Sequence, residues 1–398
     1  MREKIRSRKS DYILSITVFA LLIIGIIMIS SASVVLSYEK FGSNNYYVIR
    51  QIVNALIGIG FLIFFYLIDY RKLKKISPIF LILTIILLLL VFLIGFQYGG
   101  AKRWLHFGSF INVQPTEITK LAYVLYLAAW LENRGEKLRD FQYGLIPFVL
   151  MTVFIAFLII LQPDFGTTLV IILTAASMFV IAGASWQQII LGGFAGLAVV
   201  WLLIKSSSYR FARLSVFLDP SSDTQGIGYH INQALLAIGS GGLLGLGFGL
   251  SRQKYNYLPE PMGDSIFAIM AEEIGFLRVI IIILLFIVLA YRGYRIARLS
   301  PDTFGRLTAF GITTWLTIQA AINIAAMLSL VPLTGIPLPF ISYGGSSLIS
   351  SLAGIGILLN ISKLSVKGEV YESPRGSWWN SRSHNSRSIR SRRVTSKR

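Results

Sequence analysis

The chain has 398 residues, of which 55% are hydrophobic and only 14% charged, and its mean hydropathy is +0.68, too apolar for a globule whose whole surface meets water. A formal charge of +19 would suit a nucleic-acid binder, but the Lys and Arg residues lie at the two ends and in short connections between apolar runs. That is a membrane distribution, and no nucleic-acid partner is expected. Cysteine is absent, which excludes disulfides and thiolate metal sites.

Residues 1–11 form a basic segment carrying Arg2, Lys4, Arg6, Arg8 and Lys9. The apolar run behind it is too long for a removable signal peptide and lacks a cleavage site, so it is read as a retained first helix. Apolar segments then fall at about 12–34, 47–68, 78–97, 114–131, 143–161, 166–183, 187–204, 265–290, 307–330 and 344–362, each near the ~17–25 residues needed to cross hydrocarbon. The expected fold is all-α: one polytopic membrane domain of about ten transmembrane helices over 12–362, with a large extracytoplasmic loop at about 205–264 between the seventh and eighth. The termini and the connections Arg71 to Lys75, Arg134 to Arg139 and Arg292 to Arg306 are rich in Lys and Arg and share one side if the helices alternate, which makes that side the cytoplasm. The connections at about 35–46, 98–113, 162–165, 205–264 and 331–343 then face outward. From 363 to 398 the chain holds ten basic and two acidic residues among Ser, Asn and Gly, a composition expected to be disordered and suited to anionic membrane lipids or a docking protein.

Several polar clusters interrupt the apolar runs. Lys102 and Arg103 flank Trp104, where snorkelling anchors and phosphate binding are both served. Gln114, Glu117 and Lys120 share one face at the start of the fourth span, so Glu117 can pair with Lys120. Asp164, in Gln162-Pro-Asp-Phe-Gly-Thr-Thr168, can cap the sixth span. Arg210 and Arg213 add cations to the large loop. From Gln233 to Leu250 the chain is apolar and glycine-rich yet broken at Ile238 to Gly242, which reads either as a re-entrant segment lining a cavity or as close helix packing at GxxxG spacings. Leu258-Pro-Glu-Pro-Met-Gly-Asp264 follows, a proline-stiffened turn that puts Glu260 and Asp264 at the mouth of the eighth span. Asp264 could be an ordinary N-cap or a catalytic group. Glu272 and Glu273 lie inside that span, where acids are paired or functional, with Glu272 on roughly the face of Asp264. Pro337 to Ser346 is a stiffened turn whose Ser342 has no base in view to make it a nucleophile. Together these groups describe a cavity of cations and carboxylates fitted to a lipid-linked anion.

These stretches, with Gln233 to Gly242 and Pro337-Leu-Pro-Phe-Ile-Ser-Tyr-Gly-Gly345, resemble the SEDS family (shape, elongation, division and sporulation) of bacterial membrane-bound peptidoglycan polymerases. The likeness runs over about residues 11–362, and Asn232 to Gly241 with Tyr257-Leu-Pro-Glu260 is more similar to the division branch than to the elongation branch. It implies an inverting glycosyltransferase that polymerises lipid II into β-1,4-linked glycan on the outer face of the cytoplasmic membrane, at the septum, with a class B penicillin-binding protein and other division proteins as partners. The family's essential aspartate falls on Asp264. Many members have Thr before that Asp and Phe after it, whereas this chain has Gly263 and Ser265. On this reading Asp264 is the base, the substrate is bound among Lys102, Arg103, Gln114, Glu117, Lys120, Asp164, Arg210, Arg213, Glu260 and Glu273, and cations, with or without a divalent Mg or Mn ion, neutralise the diphosphate. Rival readings are a lipid II flippase, which suits broken segments in a ten-helix bundle, and a scaffold that recruits the transpeptidase.

Overall fold

The structure is a computed structural model that describes residues 10–98, 101–107, 111–205, 207–219 and 226–364. Most of the basic N-terminal segment, and the tail with its lipid or protein docking, lie outside the described residues. The ten expected spans are all helices: α1 (Tyr12–Ala32), then, after the short α2 (Val34–Phe41), α3 (Tyr46–Leu67), α4 (Tyr70–Ile94), α5 (Pro115–Arg134), α6 (Ile146–Ile160), α7 (Phe165–Ile181) and α8 (Trp186–Lys205). Two loop helices follow, α9 (Ser208–Leu218) and α10 (Ile227–Gly241), and then α11 (Ile266–Arg298), α12 (Thr303–Met327) and α13 (Gly345–Leu364). Among the described residues, seven helical segments are long and apolar enough to cross a membrane; α7 and most of α8 are shorter apolar helices, and α5 carries Glu117, Lys120, Glu132 and Arg134 along its length.

Helix starts follow local chemistry. Asp11, Asp69, Asp164 and Asp302 each accept a backbone N–H at the head of α1, α4, α7 and α12, satisfying donors that the first turn leaves unpaired. Two boundaries differ from the sequence expectation. Helix α4 begins at Tyr70, so Arg71 to Lys75 are helical rather than a connection, and α11 runs on to Arg298. Hydropathy marks where a helix leaves lipid, while Lys and Arg remain good helix formers beyond that point.

Helix α13 is buried along nearly its whole length, whereas α3 and α4 bury one stripe and expose large apolar side chains such as Leu56, Leu67, Ile79 and Leu93. Helices α3 and α13 approach closely at Gly356, where a Cβ would lie 2.4 Å from the Leu62 carbonyl oxygen, the small-residue contact expected where lipid supplies no hydrophobic drive between helices.

The five connections expected to share a side do gather at one end of the bundle. Arg103 bonds the Gln162 carbonyl, Arg213 the Leu333 carbonyl, and Tyr343 N the Met262 carbonyl, while the Asn256 side chain donates to Glu39. At the opposite end Arg292 pairs with Asp11, Arg71 with Asp302 and Lys74 with Glu132. The first end also holds structure that an all-α expectation leaves out: β1 (Phe96–Tyr98), β2 (Ala101–Phe107) and β3 (Ile111–Val113) form an antiparallel sheet in that order. Its middle strand buries Leu105 and exposes His106, the period-2 pattern of a strand with one covered face.

The glycine-rich segment acts as a wedge. Helix α10 stops at Gly241, and the chain after it pairs with α11, which opens at Gly275 (φ 78°, ψ 170°). Leu246 N and Gly247 N donate to the Glu272 and Glu273 carbonyls, and Phe276 N and Leu277 N donate to those of Gly242 and Leu243. Each irregular stretch satisfies the other's backbone, as unwound chain in a membrane protein must. The packing and broken-segment readings of the sequence are therefore one feature, though Gly245 and Gly249, at φ 85° and 81°, are not helical.

Candidate active site

Asp264 does not cap α11. That position belongs to Ser265, and Asp264 precedes it, two residues before the helix begins at Ile266, so the helical periodicity that put Glu272 on its face does not reach it. Its main chain is held by Asn323 of α12, whose Nδ2 donates to the Asp264 carbonyl at 2.9 Å and to the Ile336 carbonyl at 2.8 Å. The carboxylate is partly buried, and its Oδ1 has no hydrogen-bond partner. Loss of hydration raises the Asp264 carboxyl to about 6, against the charge of Arg213 and the nearby polar groups of residues 264 and 265, which lower it. The turn before it is strained: Glu260 adopts φ 47°, a left-handed conformation unusual for a side chain of its size. Packing around this turn and the charge of Asp264 raise the Glu260 carboxyl, while Lys40 of α2 lowers it.

Arg213 lies on α9 with its guanidinium 2.6 Å from the Leu333 carbonyl, and Arg210 is one turn earlier on the same face. The loop between α12 and α13 supplies the floor: a Cβ on Gly335 would lie 3.7 Å from Asp264 Oδ2. Ser342 accepts the Leu338 amide at 2.7 Å and closes this loop, a structural role. Asp264, Glu260 and Arg213 thus form one group around this turn, with Arg210 one helical turn from Arg213.

A second group surrounds the head of α7. Asp164 Oδ1 caps Thr167 at 3.1 Å, Gln114 Nε2 and Thr116 approach its Oδ2 at 3.4 Å, and Arg103 ties down the carbonyls of Gln162 and Pro163. Lys102 is exposed on β2. The other expected substrate contacts are engaged in the protein interior. Lys120 bonds Glu117 at 2.8 Å and Gln319 at 2.7 Å and is 2% exposed, so its charge is already balanced. Glu273 bonds Lys254 at 3.0 Å, with Ser31 Oγ donating at 2.5 Å, and Glu272 accepts from the amides of Arg252 and Gln253. These two acids fasten the glycine-rich wedge to α11 and α1 instead of joining Asp264.

Sequence reading missed the residues that connect the groups. Gln319 links Lys120 to the Pro337 carbonyl, at 2.9 Å, and Asn323, one turn on, links Ile336 to Asp264. The available signal was two amides four residues apart inside an apolar span, a pattern that places both on one buried face. Lys254 and His230 carried no such periodicity. For Mg or Mn, among the described residues no three His, Asp or Glu side chains converge on one point. Asp264 and Glu260 are the carboxylates of this turn that would share a Mg or Mn ion with a substrate diphosphate, since Mg is commonly bound by one or two carboxylates together with phosphate oxygens.

Comparison with known proteins supplies the family. The profile of the family described as cell cycle protein, spanning FtsW, RodA and SpoVE, matches residues 12–367. Stage V sporulation protein E of Bacillus subtilis is 42% identical over 358 residues, 89% of this chain and 97% of that protein. The probable peptidoglycan glycosyltransferase FtsW of Trichlorobacter lovleyi is 38% identical over 364 residues, 91% of this chain and 95% of that one. A chain from a peptidoglycan synthase complex, solved for the structural coordination of polymerization and crosslinking, superposes with TM-score 0.74 at 27% identity, covering 92% of this chain and 99% of its own. The rod shape determining protein RodA of Thermus thermophilus superposes at 0.66 with 28% identity, covering 90% and 98%. A matching profile along nearly the whole bundle, together with relatives that align end to end, places this multi-pass membrane protein in the FtsW, RodA and SpoVE family of cell cycle proteins.

Proposed function

We propose that the chain is a peptidoglycan glycosyltransferase that polymerises lipid II into β-1,4-linked glycan, serving septal wall synthesis with a class B penicillin-binding protein as transpeptidase partner. The observation that carries this reading is a desolvated carboxylate, Asp264, with one oxygen unpartnered and within the field of Arg213 on α9, in a chain whose relatives include probable peptidoglycan glycosyltransferases. Its orientation follows from the positive charges: both termini in the cytoplasm and the Asp264 end outside.

Converting an α-linked sugar diphosphate to a β-glycoside inverts the anomeric carbon. Asp264 takes the proton of the GlcNAc 4-hydroxyl as that oxygen attacks C1; the bond from C1 to the diphosphate oxygen breaks, and undecaprenyl diphosphate leaves. A base raised to about 6 is ionised at neutral pH yet stronger than an ordinary carboxylate, which suits this transfer. Arg213, Arg210 and the exposed Lys102 are the cations for the leaving diphosphate. A Mg or Mn ion shared by Asp264, Glu260 and the diphosphate would supply further neutralisation of the leaving group. Asp264→Asn is expected to lower lipid II polymerisation by the purified protein in detergent by about 100-fold or more, with the melting temperature retained. Near wild-type polymerisation by that variant would refute the assignment, and detergent, which has no leaflets, separates polymerisation from flipping.

A further inference from the structure

The turn that presents Asp264 is held by a contact the transfer chemistry does not use. Ser265 is fully buried, its hydroxyl 2.7 Å from the Pro259 carbonyl oxygen and 2.7 Å from His230 Nε2 on α10. A carbonyl oxygen only accepts, so the hydroxyl hydrogen goes to Pro259. The remaining lone pair faces His230, whose proton must then sit on Nε2. The ring stays neutral in this position: burial, and after it the charge of Arg213, lower its pKa to about 4.

This bond spans the turn from end to end. Pro259 opens it, Gly263 N and Ser265 N close onto the Glu260 carbonyl at 2.9 and 3.4 Å, and Ser265 begins α11. Between them lies Asp264, whose own carbonyl is held from the far side by Asn323. Gly263, the residue before Asp264, has the least conformational restriction of any residue type, so the stiffness of the turn must come from its neighbours. The His230–Ser265–Pro259 chain supplies it in a protein that departs from the family's usual Thr and Phe at 263 and 265.

We propose that His230 is a positioning residue: acting through Ser265, it locks the 259–265 turn and holds Asp264 in register with the hydroxyl that Asp264 deprotonates. This rests on the glycosyltransferase reading above. Small displacements of a catalytic group reach about 100-fold in rate, so His230→Ala and Ser265→Ala are each expected to lower kcat for lipid II polymerisation by about 10- to 100-fold. KM should stay within about two-fold, because both side chains are uncharged and offer the diphosphate no cation. The double variant should be no slower than the slower single one, since both break the same chain of bonds. His230→Gln, which keeps a side-chain N–H donor, should recover most of the rate.

Unchanged kcat in His230→Ala, or losses that multiply in the double variant, would overturn the lock while leaving the glycosyltransferase reading intact. Failure of the wild-type protein to polymerise lipid II would instead remove that reading. The lock is then judged by nitrogen NMR of the full-length protein labelled at its three histidines. His230, identified by its loss in His230→Gln, is expected as the Nε2–H tautomer in the wild type and to change in Ser265→Ala. An Nδ1–H tautomer in the wild type, or no response to Ser265→Ala, overturns it.

Discussion

At the scale of single residues, what distinguishes Asp264 from the buried acids Glu117, Glu273 and Asp164 is that its carboxylate makes no lysine ion pair among the described residues and caps no helix. Glu117, Glu272, Glu273 and Asp164 each accept hydrogen bonds or pair with a lysine, while Asp264 Oδ1 accepts none. Its raised carboxyl gives a signed pH prediction. A base must be ionised, so polymerisation should fall as pH drops through about 6, well above the 3.8 of an ordinary aspartate. Arg213 opposes that rise, so in Arg213→Gln the acid limb of the pH–rate profile should move to higher pH. A limb that moves down, or stays put, would show that the arginine's charge is not felt at the base. The same shift means that ionising Asp264 disfavours the folded state: its contribution to stability is complete below the unfolded-state value and is lost as pH rises through about 6.

At the scale of elements, the opened α11 and the wedge after α10 form one structural unit. A Cβ at Gly275 would lie 2.2 Å from Gly245 N and 2.3 Å from the Leu244 carbonyl carbon, at a φ of +78°. Gly275→Ala should therefore cost about 3 kcal/mol or more, from backbone strain plus a clash that no flexible side chain can relieve, read as a lower melting temperature in detergent. The wedge is also pinned by charge. Lys254 Nζ donates to Glu273, to Ser31 and to the Gly249 carbonyl, which uses all three of its protons. Lys254→Met leaves Glu273 buried without its cation and should cost about 3–5 kcal/mol. Adding Glu273→Gln should restore a large part of that, since an amide carries no charge to bury. Recovery in the double variant would identify the uncompensated charge, rather than lost packing, as the cause.

At the scale of the whole molecule, the alternation of ten spans has a geometric consequence that the loop contacts meet: connections two spans apart touch one another at the same end. The distribution of Lys and Arg predicts that the Asp264 end faces outward. The chain's lack of cysteine makes this directly measurable, because any introduced thiol is the only one. Ser43→Cys and Asn256→Cys, both exposed at the Asp264 end, should react with a membrane-impermeant maleimide on intact spheroplasts. Glu136→Cys, exposed between α5 and α6, should react only after permeabilisation. The reverse pattern would invert the topology and remove lipid II on the outer face as the substrate.

The sequence by itself determined the ten helices, because lipid forces every backbone group to be satisfied within its own segment and so makes spans legible one at a time. It also singled out the 258–264 turn and the pairing of Glu117 with Lys120, both local in the chain. Tertiary structure decided which polar groups share a site. Glu273 turned to Lys254 and Lys120 to Gln319, while Arg213, Asn323, His230 and the 331–337 loop converged on the Asp264 turn from segments 34 to over 70 residues away. The small sheet and the pairing of the glycine-rich wedge with α11 were hidden for the same reason: both are hydrogen-bond partnerships between segments, and an apolar run carries no record of which other segment will complete it.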